Sequence, residues 1–344
     1  MNAHPRPAHT PHAGALATMG ATGSRAGRAD AARVMLARSL ALRPDHAPTL
    51  LNYGIVLHQL GRDAEALLTV ERALSLNPEF ARAWGCYASL LHRKVQRSGD
   101  QASLGAAAYA YRTACRLGDG DPESIAFALA SLGAAEQPGI APRAYVERLF
   151  DDYAPTFDSH LCDGLGYRAP ELLVNALTRT RGTAPADIAD LGCGTGLCGP
   201  LLRPVARRLA GVDLSRRMLD MAAQRACYDA LAQCDIVDFL CSHPATFDLA
   251  VAADVLVYIG DLLPLFQAAH SALRHGGWLA ITVERNDGEG FGLHVSRRYT
   301  HSITYLAETA ARAGFEVVAL TATTVRMDAG LPVKGALVLL RRSP

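Results

Sequence analysis

The stretch "IADLGCGTGLCG", residues 188–199, places four glycines within eight residues, directly after the short apolar run "ADIADL" and before the helical apolar pattern of "LCGPLLRPVARRL". A strand that runs into stripped backbone and then into a helix puts that backbone at the carboxyl edge of a first strand, where open parallel sheets take their ligands. Pro200 is compatible with the first turn of the helix that follows. From about Arg181 onward the chain alternates strands and helices, which predicts a parallel sheet covered by helices on both faces. Residues 194–199, "GTGLCG", satisfy the GxGxxG spacing of dinucleotide sites, a weak signal when it stands alone.

Charge separates the two ligand classes that use bare backbone at this edge. Asp190 closes the first strand two residues before Gly192. A carboxylate there repels a pyrophosphate and attracts a cationic amino acid moiety. The whole phrase "DLGCGTG" resembles motif I of the class I S-adenosylmethionine-dependent methyltransferases. The resemblance implies that Gly192, Cys193, Gly194 and Gly196 admit the methionine part of S-adenosylmethionine, beside Asp190. It implies that Asp213, ending a second strand in "LAGVDLS", accepts the ribose hydroxyls, with Leu214 and Met218 flanking the adenine. The alternative for Asp213 is an N-cap carboxylate, a duty for which Ser215 is better placed. Asp235 in "CDIVDFL" is a candidate for the adenine amino group, with Asp238 competing. Asp254 and Val255, after the strand "FDLAVA", fall at the family's motif IV on the cofactor edge, with Tyr258 on the acceptor side. "EVVAL" and "GALVLLRR" fit the family's terminal antiparallel hairpin. The expected architecture is a Rossmann-like, seven-stranded, mostly parallel sheet; a nicotinamide enzyme needs a further half-sheet or catalytic domain, for which no sequence remains.

The N-terminal third carries a repeat. A shift of 34 residues aligns Leu16 with Leu50, Gly20 with Gly54, Gly27 with Gly61, Arg28 with Arg62, Ala32 with Ala66 and Pro44 with Pro78. The segment from Ala47 to Phe80 has two helical patterns joined at "GR", and a third copy begins at Ala81 with an insertion, "RKVQRSGDQAS", before Ala107. This resembles the tetratricopeptide repeat, in which small residues let paired antiparallel helices approach. Trp84 and Tyr53 read as packing residues. A short solenoid needs a cap, which the segment after Pro122 can supply. The expected organisation is a disordered tail over 1–12, an all-α repeat domain over 13–135, linker and lid helices over 140–180 and a methyltransferase domain over 181–344.

"YVERLFDDYAPTFDSHLCDGLGYRAPELL", residues 145–173, lies between the two domains and resembles the lid segment of bacterial methyltransferases that carry such repeats. Tyr153, Phe157 and His160 are its candidates to cover the cofactor; for Phe157 a plain amphipathic docking helix is the competing reading. "HVSRRYTHSITY" follows the fifth strand. Arg298, Tyr299 and Tyr305 are candidates for the acceptor side, and His301 is either a general base or an orienting residue beside Ser302, the expected N-cap.

A net charge of +1 gives no global attraction to nucleic acid or to an anionic membrane. No apolar run reaches the roughly 18 to 20 residues of a membrane span, and the first residues lack a secretory apolar core, so a cytoplasmic protein is expected. Eight cysteines without CxxC pairs give no zinc pattern, and no metal is expected. The acceptor is either a small metabolite, favoured by the lid, or a protein presented by the repeats, which otherwise serve partner binding or self-association. The rival reading from another class is a scaffold that has lost activity.

Overall fold

The structure, a computed structural model, describes residues 13–25, 28–164, 166–328 and 331–343. The tail expected over 1–12 lies outside the described residues. The chain falls into two units, Met1–Ala135 and Glu136–Pro344.

The first unit is all helix: α1 Ala13–Arg25, α2 Ala29–Leu42, α3 Ala47–Gln59, α4 Asp63–Leu76, α5 Ala81–Ser98, α6 Ala102–Arg116 and α7 Pro122–Ser131. The helices pack as the pairs α1–α2, α3–α4 and α5–α6, and α7 covers α6. The repeat has a steric cause. A Cβ on Gly20 would lie 2.5 Å from Leu36, and a Cβ on Gly54 would lie 2.6 Å from Val70. Glycine and partner both recur at the same interval, so the first two helix pairs close on the same missing Cβ; the third has Ala88 at that position. The insertion in the third copy lengthens α5 and delays the start of α6. Asp121 caps α7 by accepting the Ser124 N–H at 2.8 Å.

The second unit begins with α8 Arg143–Tyr153 and α9 Ala169–Arg181. There follow β1 Ala186–Leu191, α10 Gly199–Leu202, β2 Ala206–Asp213, α11 Arg216–Gln224, β3 Ala230–Gln233, α12 Ile236–Cys241, β4 Phe247–Ala252, α13 Leu263–Ala272 and β5 Leu273–Glu284. The chain closes with β6 Phe291–Leu293, β7 Tyr299–His301, α14 Ile303–Arg312, β8 Phe315–Asp328 and β9 Leu331–Arg342. One sheet has the order β3-β2-β1-β4-β5-β9-β8, parallel except for β9, which runs antiparallel to both neighbours; β6 and β7 form a separate hairpin. Apolar cores fill both faces of the sheet, under α12, α13 and α14 on one side and under α9 and α10 on the other. The order reverses between β1 and β4, which makes the ends of those strands the place for a ligand.

At the opposite rim, Asp187 and Asp248 bind Arg207 and Arg274 in a four-residue clasp that holds the amino ends of the central strands together. The terminal hairpin is longer than "EVVAL" and "GALVLLRR": β8 and β9 run on past the sheet, pairing Arg326 with Val333. No helix among the described residues is long and apolar enough to cross a membrane.

Candidate active site

The glycines after β1 do three different things. Gly194, at φ +54, faces open space: a Cβ there would meet nothing closer than Phe157 at 4.0 Å. Gly196, at φ +85, is bare because Tyr228 and Arg225 pack against it, 3.0 and 3.1 Å from where a Cβ would sit. Gly192 makes room for Val255. The loop thus presents one bare face to a ligand and two bare faces to its own supports.

Two carboxylates flank the loop. Asp213, at the end of β2, accepts the Gly194 N–H through Oδ2 at 2.9 Å and the Ser215 N–H through Oδ1 at 2.8 Å. Burial raises its carboxyl above the usual range against the pull of those donors. The capping duty belongs to Ser215, whose Oγ accepts the Met218 N–H at 3.1 Å. Asp190 is 1% exposed and accepts the Tyr228 hydroxyl proton at 2.6 Å. Burial lifts it to about 7, with the Tyr228 hydrogen bond opposing and Asp213 reinforcing. On the Asp190 side lies a crevice of ≈ 40 Å³ whose walls include Phe157, Tyr167, Asp190, Cys193, Gly194 and Ala253.

The end of α8 and the segment after it close over this crevice. Phe157 meets Tyr153 edge-on at 5.0 Å, and Phe150 meets Tyr258 at 5.4 Å. The Tyr153 hydroxyl is hydrogen-bonded to His160 Nδ1. Two lid carboxylates reach the sheet edge: Asp151 accepts the Ser215 hydroxyl at 2.6 Å, and Asp158 accepts the Thr195 hydroxyl at 2.5 Å.

Beyond the end of β4, Asp254 adopts φ +59, a left-handed conformation that Asp tolerates better than most residues. Its N–H is held by Thr282 Oγ1 at 2.8 Å, which turns its carboxylate toward Arg298 Nη2, also at 2.8 Å. Arg298 Nε donates to Glu284 at 2.5 Å, and Arg326 Nη1 lies 2.7 Å from the same Glu284 oxygen. Burial works to raise Glu284, and the two arginines together outweigh it and leave it below its ordinary value. Arg298 also lies over the Tyr258 ring, 5.6 Å from its centroid. Burial lifts the Tyr258 hydroxyl to about 12.

The structure therefore brings together Tyr153, Asp190, Cys193, Gly194, Asp213, Asp254, Tyr258 and Arg298 along one edge of the sheet, with Val255 beneath Gly192. Met218 has no exposed surface and packs on the inner face of α11. Two expected residues sit elsewhere. Tyr299 is fully buried with its hydroxyl on the Pro138 carbonyl at 2.6 Å. His301, also without exposed surface, is no candidate base in this geometry. Its Nε2 is held by the Ile259 carbonyl at 2.9 Å, its ring stacks on Tyr305, and burial depresses it to about 4. The reason for the last two is strand alternation: residues 299 and 301 share one face of β7, which is turned inward, so they cannot share a site with Arg298. Asp235 caps α12 through the Val237 N–H at 2.8 Å, while Leu214 and Asp238 stay half-buried or exposed nearby.

Sequence reasoning missed Asp158, Arg225, Tyr228, Glu284 and Arg326. Glu284 carries the same signal as Asp190, an acid at the end of the apolar run "LAITVE". Arg326 has none, since only the overlong hairpin delivers it. Among the described residues no group of three or more His, Cys, Asp or Glu side chains is arranged to hold a metal ion.

Residues 189–279 match the family model described as a methyltransferase domain, and residues 25–90 match that of the tetratricopeptide repeat. A ubiquinone biosynthesis O-methyltransferase of Thiobacillus denitrificans is 27% identical over 161 residues, 41% of this chain and 69% of that protein. A malonyl-[acyl-carrier protein] O-methyltransferase of Pseudescherichia vulneris is 30% identical over 137 residues, covering 40% of this chain; the match spans about half, 52%, of that relative. Among solved structures, the cyclase SpnF superposes with a TM-score of 0.50 at 18% identity, over 60% of this chain and 98% of SpnF, a likeness of fold.

Proposed function

The chain is an S-adenosylmethionine-dependent methyltransferase with N-terminal tetratricopeptide repeats, and from that premise we propose that it methylates an oxygen of a small molecule held between the lid aromatics and Arg298. The observation that carries this reading is the depth of the acceptor wall. The side chains of Asp254, Glu284, Arg298 and Arg326 are 16%, 9%, 17% and 9% exposed and lie near Tyr258 and the lid. A polypeptide acceptor calls for an open groove instead. The oxygen follows the two curated relatives, both named as O-methyltransferases.

Bound S-adenosylmethionine supplies a methyl group already activated by its sulfonium charge. The chain's own work is alignment and exclusion of water, worth about 7–11 kcal/mol in favourable cases. We assign the ribose hydroxyls to Asp213, the cationic amino acid end to Asp190 and the backbone of Gly192, Cys193 and Gly194, and the adenine side to Leu214 and Asp235. Val255 and Gly196 support the loop, and Tyr153 covers it. Asp254, Tyr258 and Arg298 orient the acceptor. The repeats serve a protein partner or a second copy of the chain.

Calorimetry with S-adenosylhomocysteine tests the first part. Asp213→Ala removes a charged acceptor worth about 1.5–3 kcal/mol, so binding should weaken roughly 10- to 100-fold. An absence of binding by the unaltered protein would favour an inactive scaffold. Labelled methyl transfer into fractionated lysate tests the acceptor: label in the small-molecule pool is expected, and label confined to protein overturns that half of the reading.

A further inference from the structure

We propose that Arg225 is a positioning residue that joins the lid to the glycine loop, so that one guanidinium sets both the shape of the loop and how long the cofactor stays bound. Three segments distant in sequence meet in a closed ring. Arg225, just past the end of α11, donates from Nε to the Thr195 carbonyl at 2.6 Å and from Nη2 to Asp158 Oδ2 at 2.5 Å. The other Asp158 oxygen accepts the Thr195 hydroxyl at 2.5 Å. Thr195 is 1% exposed and sits between Gly194 and Gly196, so the ring's anchor is the loop itself. The stem of Arg225 packs with Tyr228 and Ala222 where a Gly196 Cβ would be, which ties the third glycine to this support rather than to a ligand.

The arrangement uses a planar fork: two donors fixed relative to one another bridge a backbone carbonyl and a carboxylate, which a lysine cannot reproduce. Asp158 follows Phe157 directly, and Phe157 is the aromatic wall over Gly194. Opening the lid by lifting Phe157 therefore strains or breaks both Asp158 bonds, which frees the Thr195 hydroxyl and leaves Arg225 gripping the loop through the Thr195 carbonyl alone. The second lid contact, Asp151 on Ser215, grips the N-terminus of α11 and is two links removed from the loop, through Ser215 and Asp213. It serves as the control.

This inference rests on the cofactor reading above, and the test separates the two. Stopped-flow release of S-adenosylhomocysteine is measured for the full chain and for Arg225→Met, Arg225→Lys, Asp158→Ala and the Arg225→Met/Asp158→Ala double variant. Release should accelerate at least tenfold in Arg225→Met and Asp158→Ala, remain fast in Arg225→Lys, and be no faster in the double variant than in either single one. Release unchanged by either single substitution, or effects that multiply in the double variant, overturns the ring. Hydrogen exchange of the ligand-free proteins supplies an independent arm. Amides of residues 153–160 and 194–196 should exchange faster together in Arg225→Met, whereas Asp151→Ala should affect the lid alone. If the unaltered chain holds no S-adenosylhomocysteine, the cofactor reading fails; joint acceleration of lid and loop then still supports the ring, and acceleration of the lid alone sinks it.

Discussion

The proposed cofactor edge and the proposed acceptor edge of the second unit hold their acids by different means. Asp190 and Asp213 are bonded to neutral donors, a tyrosine hydroxyl and two backbone N–H groups, and both carboxyls are raised by burial. Asp254 and Glu284 are bonded to two arginines, and Glu284 is lowered. Carboxylates held by neutral groups keep their negative charge unmatched and so favour a cationic ligand. Carboxylates matched by guanidinium groups present almost no net charge, and their value is stiffness: they fix where an acceptor can lie without selecting it by charge.

The largest effect should come from breaking that balance at the acceptor edge. Arg326→Met leaves Glu284 with Arg298 alone and should cost about 3–5 kcal/mol of folding stability, the range for removing one member of a buried ion pair. Chemical denaturation of the catalytic unit within the full chain measures it. Adding Glu284→Leu should recover part of the loss. A single-variant cost under about 1 kcal/mol would mean that the quartet is solvated and behaves as an exposed cluster does, and the contrast between the two edges would dissolve.

Legibility divides along the same line. The cofactor edge is written locally, because glycines and strand-end acids lie within a few residues of each other: "IADLGCGTG" and "LAGVDLS" each contain a strand, its end and its charge. The alternation of elements gives the parallel sheet, whereas its antiparallel end is implied by the family resemblance. The acceptor edge comes from four separate segments, the ends of β4 and β5, the turn before β7 and the extension of β8, and its pairs form only in three dimensions. Arg298 was visible as a candidate; Arg326 was not. Tyr299 and His301 carry chemically suggestive side chains, but alternation along "RYTH" puts 298 and 300 on one side and 299 and 301 on the other, inward-facing side.

A smaller effect, of opposite sign for the free and bound protein, sharpens the cofactor side. Asp190 holds its proton up to about 7 in the folded chain, against an ordinary value near 4. A carboxyl raised by folding stabilises the fold most at low pH, and that contribution is lost as pH rises through the folded value. The ligand-free protein should therefore lose stability between about pH 4 and 7, with a slope of at most about 1.4 kcal/mol per unit. Affinity for cationic S-adenosylmethionine should rise over the same interval, by up to about tenfold per unit below the midpoint, because ionised Asp190 attracts it. Asp190→Asn should flatten both curves. If affinity stays level in the unaltered protein while stability falls, Asp190 titrates but does not face the ligand.

The smallest effect belongs to His301. Its Nε2–H donates to the Ile259 carbonyl and approaches that of Gly260 at 3.2 Å, which leaves Nδ1 unprotonated and buried without a hydrogen-bond partner among the described residues. The imidazole thus holds the segment after Tyr258 and contributes no proton chemistry at neutral pH. Because folding lowers it from the usual 6.5 to about 4, its neutral form supports the fold above 6.5, and that support drains away as pH falls toward 4. His301→Phe keeps the stacking on Tyr305 but leaves a carbonyl unpaired, at a cost of about 1–3 kcal/mol. It should also remove this acid sensitivity from the melting curve. Turnover, once the acceptor is in hand, should change by no more than about twofold. A general base would cost about 100- to 10,000-fold, so a loss of that size with binding of S-adenosylhomocysteine intact would return His301 to the acceptor edge and would mean that β7 turns over when the acceptor binds.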